Sequence, residues 1–261
     1  MIKFKKINLY LIIIMNKCIL ITHQFILKGE LYKIELFKFV LEYYRKHNPN
    51  SFIILTGHGI KPPEEVLNIA DDYFWSENII EGEINKGHPR LVTIGLKKAK
   101  DLGFNYVCKT RLDSIIMIPE ILDYCHNILC KSGKKWINTH YYTFNYLLMD
   151  LFNYGETDLL MKLYDPNKWT VNWDKSGLGP VAKNYLDYFN FELKLPFDEN
   201  YWESCVLKYT HIITPKDLKW IDLRKNTQLI KKKKEIFENI LDNWYNDTCL
   251  WYHGSKKSFR G

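Results

Sequence analysis

No Cys-x-x-Cys pair occurs in the chain; its six cysteines stand apart at positions 18, 108, 125, 130, 205 and 249. A zinc site on paired thiolates and a disulfide framework are therefore not expected, and a reducing compartment is the natural setting. Cys18, Cys108 and Cys205 lie inside apolar runs, where a free thiol behaves as a small hydrophobe. There is no internal repeat and no low-complexity tract, so solenoids and arrays are out. After the first strand, where a dinucleotide-binding fold carries Gly-x-Gly-x-x-Gly, the residues are His23-Gln24-Phe25-Ile26-Leu27. Nicotinamide and flavin cofactors are therefore not expected. The apolar run Ile7 to Met15 is too short to cross a bilayer. No small-residue cleavage site follows the lysines at 3, 5 and 6 that precede it. Residues 1–14 read instead as a retained extension ahead of Met15, with interfacial anchoring as one use for it.

A net positive charge is missing from the body of the chain. The net charge is +7, but residues 1–17 carry +4 and residues 208–261 carry +6, leaving the rest at −3. A nucleic-acid groove needs its cations on the domain itself, so no nucleic-acid partner is expected. A cytoplasmic enzyme fits better, its basic ends available to acidic surfaces. The 261 residues, 46% of them hydrophobic, suffice for one sizeable core. The expected organisation is an extension (1–14), one catalytic domain (15–225) and a basic helical tail (226–261). In that tail Lys231 to Lys234 lead into an amphipathic run carrying Ile236, Ile240, Leu241 and Trp244. It reads either as a solvated helix packed on the body or as a peripheral membrane contact.

What is present is an alternation of apolar strands and amphipathic helices. Strands are predicted at Cys18 to Thr22, Phe52 to Thr56, Asp72 to Ser76 and Tyr106 onward, with helices between them. Further helices are expected over Pro119 to Lys131, Val181 to Phe189 and from Asp198, with a strand at Trp136 to Tyr141. Gly57-His58-Gly59 reads as a turn. Short intervals of this kind imply a mostly parallel α/β sheet with right-handed crossovers.

The densest chemistry falls in Asn85 to Met117. A polar loop with Gly87 and Arg90 leads into a helix, Gly103 ends it, and Tyr106-Val107-Cys108 runs on into Lys109-Thr110-Arg111-Leu112-Asp113. If the strand persists, Lys109, Arg111 and Asp113 leave on one face. Two cations and a carboxylate suit a diphosphate and its divalent metal. A salt-bridged strand end is the plain alternative.

This order of loop, helix and Lys-Thr-Arg-Leu-Asp resembles the nucleotide-sugar half of a GT-A glycosyltransferase. The Lys-x-Arg-x-Asp form is similar to that of the WavE-type lipopolysaccharide-synthesis family. Two further segments are similar to the same family: Asp150, Phe152 and Gly155 ahead of a helix, and Asp198-Glu199-Asn200-Tyr201-Trp202 at a helix start. The resemblance implies a GT-A-like fold and transfer of a sugar from a nucleotide-sugar donor to a glycan hydroxyl. It implies Thr22, His23, Asn85, Arg90, Lys109, Arg111 and Asp113 as donor contacts. It also implies Glu199 as the base, Asp150 at the acceptor, and Asp113 with His211 as ligands of a manganese or magnesium ion. Arg111 stands where the family fold carries the first Asp of Asp-x-Asp, so metal dependence stays open. Two other readings remain: a non-catalytic nucleotide- or carbohydrate-binding module of the same fold, and a nucleotidyltransferase, although the Gly-rich basic loop of the latter is missing.

Overall fold

The computed structural model describes residues 16–22, 31–77, 87–112, 114–139, 141–142, 147–148, 151–168, 180–194, 196–214 and 217–222. In chain order the elements are β1 (Lys17–Thr22), α1 (Tyr32–His47), β2 (Phe52–His58), α2 (Glu64–Leu67), β3 (Asp72–Ser76), α3 (Gly87–Asp101), β4 (Tyr106–Arg111), β5 (Ser114–Ile116) and α4 (Ile121–Ser132). They continue as β6 (Trp136–Asn138), β7 (Tyr141–Tyr142), β8 (Leu147–Leu148), β9 (Asn153–Glu156), α5 (Thr157–Leu163), α6 (Pro180–Tyr188), α7 (Glu199–Tyr209), β10 (Thr210–Ile212) and β11 (Trp220–Asp222). The extension at 1–14 and the tail at 226–261 lie outside the described residues.

Among these, seven strands form one sheet in the order β10-β6-β9-β4-β1-β2-β3. The pairs β1–β2, β1–β4, β2–β3 and β6–β10 are parallel, and β9 alone runs antiparallel, between β4 and β6. This is the mostly parallel α/β sheet that the alternation of elements implied. β1 reads as a continuous apolar run because helices cover both of its faces. Ile19, Ile21, Ile53, Leu55 and Cys108 pack with α1 and α4 residues such as Phe37, Val40, Ile121 and Cys125. Cys18, Leu20, Ile54 and Val107 pack on the other face with residues of α3, α5, α6 and α7.

Glycine sets two close approaches. A Cβ on Gly95 of α3 would lie 2.3 Å from Leu20 Cδ1 and 3.1 Å from Thr56 Cγ2, so its absence lets α3 settle on β1 and β2. Gly57 corrects an expectation. β2 does not turn at Thr56 but continues through His58, because Gly57 leaves room for the Trp75 ring, 2.2 Å from where a Cβ would be. The turn follows at Gly59, whose φ is 92° and whose carbonyl accepts the Trp75 indole N–H at 3.0 Å.

Two other differences concern the second half. The strand expected over Trp136 to Tyr141 stops at Asn138, and Tyr141 belongs to a separate β7–β8 hairpin. β9, with the sequence Asn-Tyr-Gly-Glu, was not anticipated. It lacks β-branched residues, and its strand character comes from being flanked by β4 and β6.

Candidate functional site

β4 is the centre of the sheet, and its C-terminal end brings together three of the predicted donor residues, Thr22, Lys109 and Arg111. The strand persists through Arg111, which stands in register with Thr22 of β1. Alternation puts Lys109 and Arg111 on the face covered by α3, together with Val107 and Leu20 of that core. Cys108 and Thr110 point the other way, Thr110 Oγ1 lying 3.4 Å from the Tyr44 hydroxyl of α1. The Thr22 hydroxyl donates to the Thr110 carbonyl at 3.2 Å, and Leu112 N–H donates to the Thr22 carbonyl at 3.0 Å. These bonds lock the two strand ends together. Arg111 is half-buried at the strand end.

Lys109 lies deeper and is fully buried. Its ammonium is 3.3 Å from Nε2 of His88, in the first turn of α3, and 5.3 Å from the ring centre of Tyr164 just past α5. As an ammonium Lys109 can only donate, which makes His88 Nε2 the acceptor. Tyr164 is itself held: its hydroxyl accepts from Asn153 Nδ2 at 2.7 Å, and its carbonyl accepts from Thr93 Oγ1 of α3 at 3.0 Å. Asn153, opposite Lys109 in register, accepts from Asn138 Nδ2 of β6 at 2.8 Å. A buried polar layer therefore runs from β6 through β9 and β4 to the start of α3. Burying a cation is costly unless polar groups meet it, and His88 and the Tyr164 ring, which the rest of the layer holds in place, do so here. His88, Asn138, Asn153 and Tyr164 were not singled out from sequence. A polar residue in each of four separate elements gives no spacing signal until the sheet order is known.

The other predicted residues divide. Arg90 is in the first turn of α3, but about 200° round the helix from His88, on the side turned away from the sheet; His88 is the residue of this turn that meets Lys109. Glu199 is exposed in the first turn of α7, after an Asp198 cap that accepts from Tyr201 N–H at 2.9 Å. α7 is anchored at its far end, where the Cys205 and Val206 carbonyls accept from the Tyr185 hydroxyl at 2.7 and 3.1 Å. His211 is on edge strand β10, paired with Ile137. Its neighbours Thr210 and Ile212 turn to the Trp136 core, so His211 faces the opposite side of the sheet from Lys109 and Arg111. Burial and the Lys134 ammonium hold its imidazole below the usual range. Among the described residues no three His, Cys, Asp or Glu side chains come together as a metal site. His23, Asn85, Asp113 and Asp150 lie outside the described residues. One further group sits at this end of the sheet: His58, buried at the end of β2, with its imidazole pushed down by desolvation.

No known protein family and no curated protein matches the sequence, the WavE-type family included. Solved structures give distant likenesses. A glycosyltransferase involved in glycosylation of the major capsid of PBCV-1 has 10% identity over 83% of this chain and 99% of its own, with a TM-score of 0.47. A protein of Desulfovibrio desulfuricans G20 classed as a nucleotide-diphospho-sugar transferase has 12% identity over 88% and 98%, with a TM-score of 0.45. A cytidylyltransferase of Leptospira borgpetersenii serovar Hardjo-bovis has 17% identity over 88% and 95%, with a TM-score of 0.44. Likenesses of this size decide neither substrate nor reaction.

Proposed function

We propose that the crevice at the C-terminal ends of β1 and β4 binds the diphosphate of a nucleotide-sugar, and that the chain transfers the sugar to a glycan hydroxyl. The observation that carries this reading is the pairing of Arg111 and Lys109 on the α3 face of the central strand, beside Thr22. In an open α/β sheet, ligands sit in the crevice outside the carboxyl ends of the strands. Arg111 would contact the phosphates directly, through a planar fork that matches their oxygens. Lys109 would act from beneath, its buried charge felt strongly because little water screens it. As the bond to the sugar breaks, negative charge grows on the leaving diphosphate, and fixed cations lower the barrier by stabilising it.

The attacking hydroxyl needs a base on the opposite side of the anomeric carbon. Asp150 and Glu199 are the two candidates. Asn153, which opens β9, pairs with Lys109, so the described stretch from Leu151 into β9 stands at the donor end of the sheet. Asp150, the residue before that stretch in the sequence, is for this reason ranked ahead of Glu199 as base, with Glu199 as the rival. The described residues do not assemble a divalent-cation site, and no step is assigned to a metal; manganese and magnesium enter as variables of the test.

That test is a panel of nucleotide-sugars, with and without manganese, followed by hydrolysis, transfer and calorimetry. Arg111→Ala should raise the donor dissociation constant about tenfold or more, the loss of a charged hydrogen bond being worth roughly 1.5–3 kcal/mol. Asp113→Ala should abolish transfer. Unchanged nucleoside-diphosphate affinity in both variants would overturn the site. Turnover of a nucleoside triphosphate and a sugar phosphate, releasing pyrophosphate, would establish nucleotidyl transfer instead.

A further inference from the structure

Tyr164 is where α3, α5, α6 and β9 meet the buried lysine of the donor end. It follows directly on α5, is fully buried, and its N–H donates to the Leu160 carbonyl at 2.9 Å. Its carbonyl accepts from Thr93 Oγ1 of α3 at 3.0 Å. The preceding carbonyl, that of Leu163, accepts from Asn184 Nδ2 of α6 at 2.9 Å. Its hydroxyl accepts from Asn153 Nδ2 of β9 at 2.7 Å. Two helices therefore fix the backbone here, and a strand fixes the far end of the side chain. Between those fixed ends the ring centre lies 5.3 Å from the Lys109 ammonium. The His88 ring stands at 72° to it, 6.5 Å away.

Burial sets this contact apart from others of its kind. Lys61, Lys194 and Lys208 also stand over aromatic rings, but those lysines are exposed and water competes for their charge. Lys109 and Tyr164 are both buried, where the attraction of an ammonium for a ring face is strongest. A ring face and a neutral imidazole orient an ammonium without cancelling its charge, whereas a carboxylate would cancel it. The charge stays available to an anion at the end of β4, where Arg111 stands two residues on and on the same face.

We propose that Tyr164 is a positioning residue of the donor site, its ring face holding the Lys109 ammonium, charged and in place, for the diphosphate. Tyr164 acts through Lys109. The inference rests on the diphosphate reading given above and adds to it the ring that keeps the buried cation charged. It also gives the polar layer a use, since Asn138 holds Asn153 and Asn153 holds the ring by its hydroxyl.

The test uses the full chain and calorimetry with uridine, guanosine and cytidine diphosphate, following whichever the wild type binds. Position 164 is varied as Tyr164→Leu, as Tyr164→Phe, and as Tyr164→Phe carrying two or three ring fluorines. Fluorine withdraws electron density from the ring face at almost constant size. Tyr164→Phe removes the bond to Asn153 but keeps the face, so affinity should stay within about twofold of wild type. Tyr164→Leu removes the face and should weaken binding about tenfold, with the fluorinated rings between, in order of fluorine number. In a Lys109→Met background the same series should be flat, whereas a ring that serves only packing would alter both backgrounds alike. Should Tyr164→Leu fail to fold, the fluorinated series decides alone. The inference is overturned if fluorination leaves affinity unchanged while Lys109→Met lowers it. It is also overturned if Tyr164→Phe loses as much as Tyr164→Leu, which would put the role in the hydroxyl. If Lys109→Met and Arg111→Ala bind like wild type, or wild type binds none of the three, the diphosphate reading itself fails and this inference with it.

Discussion

The two faces of β4 carry opposite chemistry from alternate residues of one strand. On the α1 side Cys108 sits among Ile19, Ile21 and Leu55, and burial pushes its thiol well above the usual range. The Tyr44 phenol beside it is raised for the same reason. These groups are locked in their neutral forms and serve packing. On the α3 side Lys109 is equally buried but is surrounded by His88, Tyr164 and, through Tyr164, Asn153. Depth of burial is therefore not what separates the faces. The difference is which polar partners the sheet order delivers: the α1 face receives the Thr110 and Tyr154 hydroxyls, whereas the α3 face receives Asn138, Asn153 and His88 from β6, β9 and the start of α3, next to a buried cation.

The largest expected effect concerns the base, which the α3-side reading requires at the same end of the sheet. Loss of a general base costs about 10²–10⁴ in rate. Asp150→Asn should lose turnover by that order while donor affinity is retained, and Glu199→Gln should chiefly alter the acceptor Michaelis constant. Single-turnover kinetics on both variants decides it, and the reverse pattern exchanges the roles.

Next, the two faces can be set against each other directly. Lys109→Met keeps the side chain's length and apolar stem but removes its charge. It should weaken nucleoside-diphosphate binding about tenfold or more while the protein stays folded. Cys108→Ser, one residue away, places a hydroxyl in an apolar core and should cost about 1–3 kcal/mol of stability. Its effect on donor affinity should be negligible. Calorimetric titration beside denaturant melts would show the two losses falling on different quantities. If both variants lose only stability, the α3 face is as structural as the other.

A smaller effect is expected from Gly57→Ala. The added Cβ would strike the Trp75 ring, which its bond to Gly59 holds in place, so repacking should cost roughly 1–3 kcal/mol. Urea unfolding measures it, and a neutral result would mean the ring moves freely.

The smallest is a dependence on pH. Burial holds the imidazoles of His58, His126 and His211 below their ordinary value. The unfolded chain therefore takes up protons more readily, and stability present above about pH 6.5 should be lost as the pH falls below it. The melting temperature should drop between neutral and mildly acidic buffer, and His58→Gln should flatten that drop. A flat profile in the unaltered chain would contradict the assignment.

Much of the first half was legible in the sequence because its signals are local. Apolar runs at Cys18 to Thr22 and Phe52 to Thr56, a 3.6-residue period through Leu91 to Leu102, and the glycine at 103 each act over a few residues. Together they suffice for strands in parallel order with Lys109 and Arg111 on one face. The insertion of β9 was not legible, since Asn153-Tyr154-Gly155-Glu156 has weak strand preference and is held by neighbours far away in the chain. With it went the polar layer, for His88, Asn138, Asn153 and Tyr164 become neighbours of Lys109 only when four elements meet. The separation of His211 from Arg111 has the same origin. Sequence places a histidine near a late strand, but which strand it pairs with, and hence which face it takes, follows from long-range hydrogen bonds between β6 and β10. Residue type and period fixed which groups could carry charge and where each strand would run. The order of strands in the sheet decided which of those charges are buried together, because a side chain's dielectric surroundings are set by what packs over it.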